Sequence, residues 1–217
     1  MNMQTALFVS MDSRYVAPTH VSVLSHASCG TLYVAGDVSL LSEPCVAIVG
    51  SRKASRGSLD VAAELATALV AKGLVVLSGL AAGIDSASQL AAIRSGGRTV
   101  GVVGTPLDRA YPSSSASLQE HIHREHLLVS PFAQGVTTAP WHFPVRDRVI
   151  AQLAVATVVV EADEKSGTRY VVEECIREGK VVFARSGLLE RLTWLRRAAA
   201  RGEVVEWDGP REILGRL

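Results

Sequence analysis

Aromatic residues are scarce in this sequence: they make up 5% of its 217 positions, as three Trp, four Tyr and four Phe. A core with so few large rings must come from Ala, Val and Leu in close contact, which suits helices stacked on a parallel sheet. Cysteine is as rare. Cys29, Cys45 and Cys175 are odd in number, widely spaced and form no CxxC pair. That argues against a disulfide framework or a structural zinc site and places the chain in a reducing cytoplasm. Excess charge is missing too, with 22 Lys and Arg against 21 Asp and Glu and a formal net charge of +1. Any surface for nucleic acid must therefore be a local patch. No apolar run reaches the roughly 18 residues of a membrane helix. The opening "MNMQTALFVSMDSRYV" lacks the basic start of a secretory signal.

Several catalytic signatures are absent as well. There is no G-x-G-x-x-G fingerprint, no Walker A lysine motif and no G-x-S-x-G elbow. His121, His123 and His126 crowd one segment, but His121 and His126 miss the i, i+4 spacing of a helical metal pair, and the group reads as a solvated helix face. No catalytic residue, metal site or cofactor is expected.

What is present is regular. Hydrophobic residues at 48% and charged residues at 20% are enough for a folded core. Residues 1–43 read as a short N-terminal lead-in with one strand-like piece, "TLYVAGD". Residues 44–217 alternate apolar runs with helical periodicity: strand "CVAIVG", helix "SLDVAAELATALVAKG", strand "LVVLSG", helix "IDSASQLAAIRSGG", strand "RTVGVVG". A looser stretch and a fourth strand, "LLVS", lead to the long loop "PFAQGVTTAPWHFP". Helix "VRDRVIAQLAV", strand "TVVVEA", helix "TRYVVEECIREG", strand "KVVFAR", a basic helix "LLERLTWLRRAAARG" and a last strand "EVVEW" complete the chain. Strands alternating with helices predict an α/β protein, a three-layer Rossmann-like fold with a mainly parallel sheet.

In open α/β sheets ligands sit beyond the carboxyl ends of the strands, so the loops there hold the candidate chemistry. The first strand ends in "GSRKASRG", where Gly50 and Gly57 allow tight turns and Arg52, Lys53 and Arg56 precede a helix. Cations at a helix start oppose its dipole, so an anionic ligand is a natural compensation; the other reading is a solvated basic turn. The second strand leads to "SGLAAGID", in which Asp85 reads as a helix-start acid. In "GVVGTPLDRAYP", Gly104 permits close backbone approach and Asp108 suits a sugar hydroxyl or a turn cap. The stretch "EADEKSGT" sets Lys165, Ser166, Gly167 and Thr168 at another helix start, suited to an anion or to simple capping. Cys175 and Trp194 read as helix residues packed inward, with Arg196 and Arg197 in solvent.

The segments "VAIVGSRKAS", "LSGLAAGIDSAS", "GVVG…LDRAYP", "FPVRDRVIAQL" and "VVVEADEKSGT" stand in the order seen in the DprA/Smf DNA-processing family. The chain resembles that family over about residues 30 to 187. The resemblance implies an extended Rossmann fold that binds single-stranded DNA, loads the RecA recombinase in natural transformation and works as a homodimer. Carried over residue by residue, it implies phosphate contacts from Gly50, Ser51, Arg52, Lys53, Arg146, Arg148, Lys165, Ser166 and Gly167, with Phe143 stacking on a base. This sequence departs from the family pattern in several places. Asp147 stands where the family has asparagine between two arginines, "SGTRYVVE" replaces "SGSLITA", and Ser130 is followed by Pro131 instead of glutamate. No winged-helix tail is expected. The alternative is a nucleotide sensor or a nucleoside monophosphate phosphoribohydrolase of the related LOG type. Those enzymes place a glutamate one helical turn past a threonine, where this chain has Val171.

Overall fold

The computed structural model describes residues 15–217. Its strands are β1 (Ser22–His26), β2 (Gly30–Gly36), β3 (Cys45–Gly50), β4 (Val75–Ser78), β5 (Thr99–Val102), β6 (Leu127–Ser130), β7 (Ala154–Glu161), β8 (Val181–Arg185) and β9 (Val204–Trp207). The helices are α1 (Arg56–Ala71), α2 (Ile84–Arg94), α3 (Ala116–Glu125), α4 (His142–Leu153), α5 (Thr168–Arg177), α6 (Leu188–Arg191), α7 (Thr193–Ala200) and α8 (Pro210–Leu214). All nine strands form one sheet in the order β1-β2-β6-β5-β4-β3-β7-β8-β9. Six pairings are parallel; β1–β2 and β2–β6 are antiparallel. The expected α/β class, the three layers and the mainly parallel sheet are all present.

The strand sequences explain the layering. In β3, Cys45, Ala47 and Val49 belong to one apolar cluster with Val149, Ile150, Val171 and Leu195, which come from α4, α5 and α7. Val46 and Ile48 belong to the opposite cluster with Leu65 and Leu69 of α1, Ile84 of α2 and Ile213 of α8. A strand covered on both faces has no polar side to show, so it reads as an unbroken apolar run. A third cluster, with Leu107, Leu118, Ile122 and Leu128, seats α3 on the antiparallel side.

Local expectations needed several adjustments, among them an unexpected closing helix, α8. Strand β1 was not anticipated: "SVLSH" is polar and lies at the sheet edge, paired only to β2. The expected long basic helix is two short ones, α6 and α7, broken at Leu192 with an extended backbone (φ −114°, ψ 109°). The Glu164 carboxylate accepts a hydrogen bond from the Thr193 amide at this restart, at 3.1 Å. Phe143 and Pro144 lie inside the first turn of α4 and not in the loop before it, a position where proline costs no helix hydrogen bond. The histidines of α3 are not a solvated face: His123 and His126 are buried, and a His123 ring nitrogen lies 2.9 Å from Val16 O. Among the described residues no helix is long and apolar enough to cross a membrane.

Candidate nucleic-acid interface

Strand order reverses at β3. The chain moves outward through β4, β5 and β6 on one side and through β7, β8 and β9 on the other. Loops leaving the carboxyl ends of β3, β4 and β7 therefore diverge and leave a crevice, the expected ligand position in such sheets. A cavity of about 490 Å³ lies there, lined by residues from Gly50 to Lys53, by Ala81 and Asp85, by Arg146 and Asp147, and by residues from Lys165 to Thr168. The volume is within the range of small-molecule and cofactor sites.

Glycines bring these loops into contact. Gly83 has φ +86°, and a Cβ there would meet the Ser51 carbonyl oxygen. A Cβ at Gly50 would lie 2.6 Å from Ile84 Cγ1 and 2.7 Å from Glu161 O. Leu80 holds a left-handed backbone (φ 56°) with its side chain fully buried, strain sustained by packing on the α3 side.

The start of α1 carries its own anion. Ser55 caps the helix by accepting a hydrogen bond from Ser58 N at 3.3 Å. The Glu161 carboxylate in turn takes the Ser55 hydroxyl at 2.9 Å and the Ser55 amide at 3.1 Å. Burial works against the charged Glu161 carboxyl, but hydrogen bonds from Ser58 and Ser55 outweigh it and its pKa is lowered. The compensation expected from a ligand at this helix start is thus supplied by the protein. Ser166 likewise works locally: its Oγ accepts from Thr168 N at 3.2 Å and donates to Thr168 Oγ1 at 2.9 Å. Ser51 is buried, gives its amide to Glu161 O at 2.8 Å and accepts from Lys53 N at 3.1 Å.

The cations sort into two kinds. Arg52, Lys53 and Lys165 are exposed at the cavity rim; no salt bridge within 4 Å joins them to an acid among the described residues, although Arg52 stands close enough to Asp147 to act on its charge. Arg146 is buried. Its Nη1 donates to Gly79 O at 2.5 Å and to Val102 O at 3.2 Å, tying α4 to the ends of β4 and β5. Its Nε lies 2.9 Å from Asp147 Oδ1, a buried ion pair within the same turn of α4. Arg148 lies outside the cavity lining and faces Glu174 at 3.4 Å, a carboxylate that also takes Arg177.

Asp85 is the residue the sequence undersold. It is 6% exposed and its Oδ2 accepts from the amides of Gly79 (3.1 Å) and Ala81 (3.4 Å). Burial pushes its carboxyl up to about 6, with Arg146 pulling the other way and Asp147 adding to the rise. Asp147 is also raised, again by burial, against the pull of Arg146 and Arg52. The cavity therefore has a buried floor of two carboxylates and one guanidinium beneath a cationic rim.

A smaller cleft adjoins it, about 130 Å³ and lined by Arg52, Gly79, Gly104, Tyr111, Phe143 and Arg146 among others. Phe143 sits so close to Gly104 that a Cβ there would be 2.9 Å from Cδ1 of the ring. The Tyr111 ring is 5.3 Å from that of Phe143, and the Arg52 guanidinium stands 5.8 Å from the Phe143 centroid. Of the ten residues carried over from sequence, nine meet around these two openings and Arg148 does not.

Fold and site together define a Rossmann-like protein with a cation-rimmed crevice at its topological switch point. The family model for DNA recombination-mediator protein A matches residues 7–197, and the chain belongs to that family. The DNA processing protein DprA of Streptococcus pneumoniae is 40% identical over 156 residues, covering 72% of this chain and 55% of that protein. An X-ray structure of the S. pneumoniae protein superposes with a TM-score of 0.79 at 34% identity, covering 88% of this chain and 67% of the other. The DNA processing protein A of Helicobacter pylori, described for its single-stranded DNA binding mode, superposes with a TM-score of 0.81 over 94% of this chain and 97% of that one. Its identity is 23%, so that likeness speaks for the fold alone. The chain spans about half the length of the curated relatives it matches.

Proposed function

We propose that this chain binds single-stranded DNA along the crevice and acts in DNA processing as a binding protein without catalysis of its own. One observation carries the reading. Three exposed cations, Arg52, Lys53 and Lys165, stand on the rim of the crevice with no salt bridge to an acid among the described residues, next to a slot whose wall is the Phe143 ring. Cations that track phosphates beside an aromatic on which a base stacks are the usual means of holding a single strand. The family and its DprA relatives support the same reading. RecA loading and assembly as a homodimer belong to it as the family resemblance implies.

The LOG-type hydrolase is disfavoured by Val171. This residue lines the cavity at the spacing where such an enzyme needs its glutamate, and it offers no carboxylate. The test is fluorescence anisotropy of labelled deoxythymidine oligomers at low and high salt. Binding that weakens linearly in log–log form with added salt is expected, because phosphate contacts release counterions. Absence of binding at low salt, or release of free base from a nucleoside monophosphate, would overturn the proposal.

A further inference from the structure

Exposed aromatic rings are few on this protein, and they gather at one edge of the sheet. Among the described residues the aromatics open to solvent are Tyr111, Trp141 and Tyr170, at 50%, 60% and 55% exposure. Tyr111 stands in the loop after β5, Trp141 closes the loop after β6, and Tyr170 is in the first turn of α5, after β7. Strands β6, β5, β4, β3 and β7 are neighbours in that order and parallel, so their carboxyl ends share one edge. That edge also holds the crevice. A chain with 5% aromatics has few to leave in water, and an exposed ring contributes little to the fold.

Of the three rings, Trp141 has a built seat. It stands at the start of α4, beside two buried rings, Phe132 and His142, that stack face to face with centroids 3.7 Å apart. Both ring nitrogens of His142 are buried without a hydrogen-bond partner among the described residues, so stacking is what holds that imidazole. The Trp141 ring meets the pair at near right angles, 5.7 Å from Phe132 and 4.2 Å from His142. Phe132 is fixed in turn: its amide donates to Ser130 Oγ at 3.0 Å, and Ser130 Oγ donates to Thr105 O at 2.7 Å. The indole is thus supported while most of it stays open to solvent. A ring ordered before binding gives up little entropy on binding. Residues 131–140 contain no Asp or Glu, so nothing in that loop repels a phosphate chain. Trp141 and Phe143 are two apart at the helix start and do not face the same way, so they serve different bases.

We infer that Trp141 is a second base-stacking platform, taking a base of the same strand beyond the Phe143 slot. The inference rests on the strand-binding reading and deepens it by giving the strand a path. That path runs from the Lys165 and Arg52 rim, past Tyr111 and Phe143, to the end of β6. From β7 to β6 the edge is four strand spacings wide, about 19 Å, with room for about five stacked nucleotides. Stacking needs only the π-face that every base has, so the platform is indifferent to sequence. An exposed indole also suits a protein partner, but this one shares its edge with the cations Arg52, Lys53 and Lys165, which favours a phosphate chain.

Indole emission reads the contact directly, because Trp207 is 1% exposed and the Trp194 ring nitrogen is buried. Oligo-dT of about twelve nucleotides, added at low salt, should quench the parent protein's tryptophan emission. Trp141→Phe keeps a ring for stacking, so it should lose the quench and hold its affinity within about threefold. Trp141→Ala should bind the same oligomer about tenfold more weakly by anisotropy. Its salt slope should match the parent's, since no phosphate contact is removed. The residue is exposed, so the thermal midpoint of both variants should also match the parent's. Three results would overturn the inference and leave strand binding intact: emission that ignores oligo-dT in a protein that binds it, a quench that persists in Trp141→Phe, or parental affinity in Trp141→Ala. Emission that answers to protein concentration and not to DNA would likewise overturn it and give the ring to a second copy of the chain. Failure of the parent to bind oligo-dT at all overturns the strand-binding reading itself.

Discussion

Replacing Arg146 with alanine separates a scaffold cation from a ligand cation. The side chain is 6% exposed, donates to Gly79 O and Val102 O, and is the positive charge between Asp85 and Asp147. Truncation leaves two strand-end carbonyls without this donor and two buried carboxylates without their counter-charge. Removing one partner of a buried ion pair costs about 3–5 kcal/mol. The cavity above is open enough for water to reach the floor, and the carboxyls can neutralise by protonation, so the lower end of that range is expected at acidic pH. In a chain of this length each kcal/mol moves the thermal midpoint by about 2–4 °C, giving a loss of roughly 10 °C. Arg146→Lys should fall between, because an ammonium cannot reach both carbonyls with the geometry of the guanidinium fork. Urea denaturation with a calorimetric scan checks this, with exposed Arg52→Ala as a control expected within about 0.5 kcal/mol of the parent. An Arg146→Ala protein as stable as the parent would show that the guanidinium is held for a ligand and not for the fold.

Three further outcomes follow from the same geometry. Arg52→Ala should weaken single-strand binding and reduce the salt slope by about one unit, whereas Arg148→Ala, already paired with Glu174, should leave both nearly unchanged in the same titration. Phe143→Ala should cost about 1–3 kcal/mol of binding by anisotropy if its ring stacks on a base, and an unchanged affinity would remove the slot from the interface. Asp85→Asn concerns pH. A buried acid raised from 3.8 to about 6 stabilises the fold when protonated, so its contribution is fully present below pH 4 and is lost as pH rises through 6. With Arg146 and Asp147 as the groups facing it, the loss is on the order of 3 kcal/mol. The asparagine keeps an oxygen for the Gly79 and Ala81 amides and removes this component. Urea midpoints between pH 4 and 8 should therefore flatten, and an unaltered pH slope would refute the assignment.

Sequence carried the sheet well and the site unevenly, for identifiable reasons. Strands such as Cys45–Gly50 are buried on both faces and leave a continuous apolar signature, while Ser22–His26 lies at the edge with little to bury and leaves none. The loop glycines and the cations Arg52 and Lys53 were legible because close backbone approach and exposed charge need particular residue types. Arg146 was legible as important but not as buried. The clue was its spacing: Arg146 precedes Val149 by three residues and Ile150 by four, so it shares their inward helix face, and Arg148 does not. Asp85 was harder. Its sequence context is that of any helix-start acid, and only the tertiary approach of Arg146 and Asp147 turns it into the floor of a cavity.

The way the helix starts are satisfied bears on how the site binds. At α1 the anion position is filled by Glu161 through Ser55, and at α5 Ser166 engages Thr168 within its own turn. Fixed backbone donors therefore contribute less here than in a phosphate-cradling loop. What remains at the rim are long, flexible, solvated cations, each of which gains little from a single phosphate because it loses rotamer freedom and is screened by salt. Affinity built this way grows by adding sites along one connected ligand: the second contact is made at the high effective concentration set by the first. If the crevice binds nucleic acid as proposed, a cationic rim beside an aromatic slot thus favours a continuous strand over free mononucleotides, with charge setting how tightly it holds.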